Sequence, residues 1–212
     1  MRSILRAADS NKRAPQRMVW LPGAFHGADD FLNAGFSEAV QKRRLGLDLT
    51  FVDLEIKHLG DRSALEQLRS LHVLPTIRQG ASVWLAGISL GGWFALDYAI
   101  TYPAECAGLL LLAPYLGNRM LAAEITEARG LEAWEPGELA EADEERRIWR
   151  YLKTRSAAPP LYLGFGQHDR FAAAHALLAA SLPAESVKTI AGGHDWRTWI
   201  ALWEIFLDSH FA

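Results

Sequence analysis

Apolar and polar positions alternate along this chain in two rhythms. Short apolar runs, the pattern of buried strands, are separated by longer stretches with apolar residues at helical spacing. Met18 to Leu21 is the first run, stopped by Pro22-Gly23. Ala28 to Arg44 follows in helical period (Phe31, Leu32, Phe36, Val40) and ends on Lys42-Arg43-Arg44, favourable at a helix C-terminus. Leu49 to Leu54 predicts a strand, and Ser63 to Arg78 a helix broken or kinked at Pro75. Ser82 to Ile88 and Ala107 to Ala113 predict strands around a helix at Trp93 to Ile100. The second of these strands is apolar enough to be buried on both faces. Leu161 to Phe165 and Ser186 to Ile190 complete the strands, with helices at Phe171 to Leu182 and Arg197 to Ser209.

Strand followed by helix throughout predicts an α/β fold, a three-layer α/β/α sandwich on a mostly parallel sheet of about six strands. One stretch breaks the rhythm. Tyr115 to Ala158 offers no strand, while Leu121 to Arg129 and Glu141 to Lys153 look helical and Glu135-Pro136-Gly137-Glu138 reads as a turn. Roughly forty residues exceeds an ordinary connection, so a small helical cap insertion is expected at about 116–158. The remainder of 18–212 is expected to form a single domain. Residues 1–17, basic and without a long apolar run, read as a flexible N-terminal tail.

Composition narrows the function classes. A chain of 212 residues, half of them hydrophobic, can bury a sizeable core without disulfides or metals. A net charge of −3 offers no basic field for nucleic acid. No apolar run approaches the ~20 residues of a membrane span. Cys106 is the only cysteine, which excludes an intrachain disulfide and favours a cytoplasmic setting. No histidine–carboxylate cluster has metal-site spacing, and no cofactor is expected.

Gly87-Ile88-Ser89-Leu90-Gly91 matches the G-x-S-x-G nucleophile elbow, in which a strand turns sharply into a helix with the serine at the apex. The five residues alone are a weak signal; a strand candidate directly before them and a helix candidate directly after strengthen it. A serine hydroxyl needs a base, and the base an orienting acid. Gly166-Gln167-His168-Asp169-Arg170 and Ala191-Gly192-Gly193-His194-Asp195-Trp196 each follow a strand, where functional groups of parallel sheets gather. Asp169 is the candidate acid and His194 the candidate base. His168 and Asp195 are the nearest competitors, each one residue away; Asp195 also suits the cap of the last helix. His26 and His175 have no acid at a suitable place. Leu21 to Gly27 offers a glycine turn after the first strand, making the N–H groups of Ala24 and Leu90 the expected oxyanion donors, with Phe25 the second choice for the loop donor.

These motifs together resemble the α/β-hydrolase superfamily, over the span from about Arg17 to Ala212, with Ser89, Asp169 and His194 at its triad positions. Leu21 to Gly27 is similar to its oxyanion loop, although Pro22 stands where the family usually has histidine. The 192–196 run resembles the histidine loop of small bacterial serine esterases in the superfamily. The first two strands of the superfamily are expected to be absent. The resemblance implies a serine hydrolase cleaving a carboxylic ester or thioester of a small molecule. A non-catalytic binding protein and an acyltransferase are the alternatives. Phe25, Tyr115, Leu121 and Trp149 are the candidate pocket walls beneath the cap, and a small cap favours short to medium acyl chains.

Overall fold

The computed structural model describes residues 1–9, 12–54, 62–138, 143–155 and 159–211. Its strands are β1 (Ser3–Arg6), β2 (Gln16–Leu21), β3 (Leu47–Val52), β4 (Ser82–Ile88), β5 (Gly108–Leu112), β6 (Leu161–Gly166) and β7 (Val187–Ile190). They form one sheet in the order β1-β3-β2-β4-β5-β6-β7. Every neighbouring pair is parallel except β1 with β3. Strand order reverses between β2 and β4, so the loops after these two strands flank the crevice where ligands of open α/β sheets bind.

The helices divide between the two faces. α1 (Ala28–Asn33), α2 (Phe36–Lys42) and α9 (Trp196–His210) cover one. α3 (Arg62–Leu68), α4 (Leu74–Arg78), α5 (Leu90–Thr101), α6 (Arg119–Glu127), α7 (Glu144–Thr154) and α8 (Ala172–Ala179) cover the other. Strand side chains alternate between these two cores. Met18 and Trp20 of β2 point to the α1/α2/α9 side, Val19 and Leu21 to the opposite side, and in β5 Leu110 and Leu112 oppose Leu109 and Leu111. Trp20 anchors the first of these cores, in edge contact with Phe36 at 4.9 Å and Trp203 at 5.0 Å.

Three expectations change. Residues 1–17 are not simply a tail, and the superfamily's early strands are not both missing, because Ser3–Arg6 pairs antiparallel with Leu49–Val52. The basic character that suggested a tail is satisfied locally, since Arg2 bonds Asp53 at 3.0 Å and Asp29 at 2.8 Å. This strand adds to the six expected ones, so the sheet has seven. The single helix expected over 28–44 is two, split at Gly35, whose φ of 88° is left-handed and cheap only for glycine. The expected break at Pro75 takes the form of a π-helical turn over Arg69–Val73. A proline lacks an N–H and crowds the carbonyl four residues back, and a widened turn relieves that crowding.

The insertion between β5 and β6 carries α6 and α7. Ile148, Trp149 and Leu152 of α7 are buried with Leu121 and Ile125 of α6 in the core shared with α5. Charge fixes the outside of this packing: Arg147 bonds Asp97 on α5, and Arg146 bonds Glu124 on α6. The expected helix start at Glu141 lies outside the described residues. No helix among the described residues is long and apolar enough to cross a membrane.

Candidate active site

Ser89 stands between the end of β4 and the start of α5 with φ 51° and ψ −113°, a left-handed conformation costly for a residue with a side chain. Hydrogen bonds on both sides hold it there. Its N–H donates to Leu112 O at 3.0 Å, and its carbonyl accepts from Gly92 N at 3.0 Å and Tyr115 N at 2.8 Å. The glycines of the motif exist for space. A Cβ on Gly87 would strike the backbone of Gly91, and one on Gly91 would land on the Leu21 carbonyl. One on Gly92 would lie 2.6 Å from Pro114 Cβ. The sharp turn is thus possible only because three positions carry no side chain.

The acid and histidine loops are laced together at the ends of β6 and β7. His168 N–H donates to Gly192 O at 2.9 Å and Gln167 N–H to Ile190 O at 2.9 Å. A side chain on Gly166 would collide with Gly192. This lacing brings His194 Nδ1 to 2.7 Å from Asp169 Oδ2 and His194 Nε2 to 3.0 Å from Ser89 Oγ. With a carboxylate facing it, Nδ1 is the protonated nitrogen, which leaves Nε2 to accept from the serine hydroxyl. The Asp169 side chain is fully enclosed and that of His194 is 11% exposed. Burial pushes the Asp169 carboxyl up, but the bonds from His194 and from Phe171 N–H (2.8 Å to Oδ1) outweigh it and hold the group below the usual aspartate value.

The competitors separate cleanly. Asp195 caps α9, accepting from Thr198 N at 2.9 Å and Thr198 Oγ1 at 3.0 Å, and His168 has an exposed side chain. The glycine loop after β2 closes over the elbow: a Cβ on Gly23 would lie 3.4 Å from Ser89 Cβ. Neither the Ala24 nor the Leu90 N–H takes an acceptor among the described residues. Phe25 occupies the third position of the turn closed by His26 N–H to Gly23 O (3.2 Å), with φ 65°, and the residue is 93% exposed.

No family model matches the chain, and no curated protein matches it. Solved structures do. A monoacylglycerol lipase of Paleococcus ferrophilus aligns with TM-score 0.60 at 15% identity, covering 98% of each chain. Est1E from Butyrivibrio proteoclasticus gives 0.60 at 15%, covering 98% of this chain and 93% of the other. The S-formylglutathione hydrolase FrmB of Staphylococcus aureus gives 0.61 at 13%, covering 94% and 83%. The chain has the α/β-hydrolase fold.

In this α/β-hydrolase fold the four expected pocket walls do not share one surface. Trp149 is fully buried, with its indole N–H donating to Leu116 O at 2.6 Å, so it fills the core under the insertion instead of facing open space. Leu121 is buried beside it. Tyr115 lies closer to the site, its ring 5.7 Å from Trp93 and 5.8 Å from Phe171. Its hydroxyl donates to Glu145 at 2.9 Å, and burial followed by this bond pushes its pKa up to about 12. The same Glu145 accepts from Asn118 N at 3.0 Å, pinning the segment from Tyr115 to Asn118 against α7.

A groove of about 440 Å³ lies between α6 and α8. Ala122, Ala123, Ala173 and Ala174 line it, as does Phe171, whose ring meets His194 edge-on at 5.2 Å. Sequence reading missed this wall because alanine-rich helix reads as featureless, whereas the space arises where large side chains are lacking. It also missed His175. That ring is fully buried between Phe165 and Phe171, with Nε2 2.9 Å from Pro114 O and Nδ1 without a partner. Burial lowers its pKa, keeping it neutral. No group of residues suited to holding a metal occurs among the described residues.

Proposed function

We propose that the protein hydrolyses carboxylic esters or thioesters of small molecules through an acyl-enzyme on Ser89. The observation that carries this reading is the unbroken hydrogen-bonded line from Asp169 through His194 to Ser89, ending on a serine held in a strained turn. The likeness to solved structures described as a lipase, an esterase and a hydrolase supports it.

The parts assign themselves by chemistry. Ser89 Oγ attacks the substrate carbonyl while His194 Nε2 takes its proton. Asp169, held ionised by its hydrogen bonds, keeps the imidazole in the right tautomer and stabilises the imidazolium. The unengaged N–H groups of Ala24 and Leu90 receive the charge that develops on the carbonyl oxygen. His194 then protonates the leaving alcohol or thiol, and the departure leaves Ser89 acylated. Water, deprotonated by His194, attacks the acyl-enzyme; the acid leaves and Ser89 recovers its proton.

The test is covalent labelling with a fluorophosphonate, paired with hydrolysis of p-nitrophenyl esters. Labelling located at Ser89, abolished in Ser89→Ala and strongly reduced in His194→Ala, is the expected result. A native protein that neither labels at Ser89 nor cleaves any ester or thioester in the panel would refute the proposal.

A further inference from the structure

Two arginines line the groove between α6 and α8. These are Arg119, at the first position of α6, and Arg170, beside the acid. Neither has a carboxylate partner among the described residues, whereas Arg43, Arg69, Arg146 and Arg147 are all paired. The Arg170 guanidinium sits 4.9 Å from the Phe171 ring centre, held by the wall that reaches His194. Glu127, the acid lining the same groove, is eight positions from Arg119 along α6, about 12 Å at a helical rise of 1.5 Å per residue. Two arginines against one glutamate leave the groove net positive, and the N-terminus of α6 beside Arg119 adds to the same sign.

Which part of a substrate meets this groove follows from proton transfer. His194 must protonate the departing oxygen or sulfur, so the leaving group lies on the histidine side of the serine. Phe171 links the two places, since its ring touches His194 and also lines the groove. We infer that the groove receives the leaving-group half of the substrate, and that Arg119 and Arg170 select one bearing a carboxylate or phosphate. The alanine lining suits a slim apolar or aromatic body between the ester bond and the anion. This inference deepens the acyl-enzyme reading and rests on it.

The experiment compares matched esters differing only in charge on the leaving group: 3-acetoxybenzoate, 3-acetoxyphenyl phosphate and neutral 3-acetoxybenzamide. A half-ester with its carboxylate on the acyl side, mono-4-nitrophenyl glutarate, serves as the contrast, set against 4-nitrophenyl butyrate. The expected ratio of kcat/KM, anionic over neutral, is about tenfold for two partly exposed ion pairs at low ionic strength, shrinking as salt is added. The acyl-side pair should show no such preference. In R119E/R170E the leaving-group ratio should fall below one, a change of sign that a merely structural role would not produce. The carboxylate and phosphate arms tell which anion is preferred. Ratios near one in the native protein, or ratios untouched by charge reversal, overturn the inference. Calorimetric binding of 3-hydroxybenzoate against 3-hydroxybenzamide to the native protein keeps the two readings apart. If no ester is cleaved and Ser89 does not label, the acyl-enzyme reading fails, and equal binding of the two phenols then removes the groove's charge selection as well.

Discussion

At the scale of single residues, the site depends as much on atoms that are missing as on those present. Gly91 has no room for one methyl group, because its Cβ would fall on the carbonyl of Leu21 in β2. That obstacle is backbone in the middle of the sheet and cannot swing aside. Gly91→Ala is therefore expected to cost at least about 3 kcal/mol, the upper end of what overpacking usually costs, read as the shift in urea midpoint. A variant as stable as the native chain would show that the elbow is looser than its geometry. Asp169→Asn tests the other kind of residue. The amide can accept from His194 only weakly and can present an N–H to Nδ1, which favours the wrong tautomer, so kcat should fall by about four orders of magnitude with the fold intact. A loss below tenfold would mean that His194 is oriented by something else. The meeting of Ser89, Asp169 and His194 was legible in the sequence because the fold class sets their chain order and each follows a strand-like run. His175 was not legible, because its partner is a backbone carbonyl, which leaves no mark in sequence.

At the scale of elements, α8 joins the Asp169 loop to the support of Ser89. Its His175 reaches Pro114 O, and the next residue, Tyr115, donates its N–H to Ser89 O. Being buried, His175 is held neutral, with Asp169 and His194 as the charged or titratable groups bearing on it and burial the largest influence. Its folded pKa lies below the unfolded value of about 6.5, so the unfolded chain binds a proton first as pH falls. Stability is then complete above about pH 6.5 and declines below it, by up to roughly 1.4 kcal/mol per pH unit. Asp169 acts in the same direction at lower pH, its contribution vanishing as the pH drops below the ordinary aspartate range. His175→Gln keeps a donor for Pro114 and removes the titration, so unfolding free energy between pH 6.5 and 5 should flatten relative to the native chain. Parallel slopes for the two proteins would contradict this. Helix and strand positions were mostly readable from periodicity, yet the groove between α6 and α8 was not. Trp149 and Leu121 drew attention as large apolar residues in an insertion, and the packing of α6 and α7 into the core shared with α5 claimed them.

At the scale of the whole molecule, the N-terminal strand ties the edge of the sheet to the loop over Ser89. Asp53, just past β3, accepts from Ala28 N at 2.7 Å and so fixes the start of α1, immediately after the glycine loop. It also donates its own N–H to Arg2 O at 2.9 Å and pairs with the Arg2 side chain. The ion pair and the strand can be separated by magnitude. Arg2 has a side chain 55% exposed, and exposed pairs contribute little, so Arg2→Ala should change stability by no more than about 0.5 kcal/mol. Deleting residues 1–7 is different in kind. It strips the backbone partners of Leu49 to Val52 and opens a fully buried, strongly apolar β3 as a bare edge. A cost of about 2 kcal/mol would lower Tm by roughly 5 °C in a chain of this size. Light scattering should also show association that grows with protein concentration. Because Asp53 then loses its backbone acceptor at Arg2, the loop carrying Ala24 should loosen too. Ester turnover would accordingly drop in kcat more than KM rises. A truncated chain that keeps its Tm and stays monodisperse would show that β1 merely rests on the sheet.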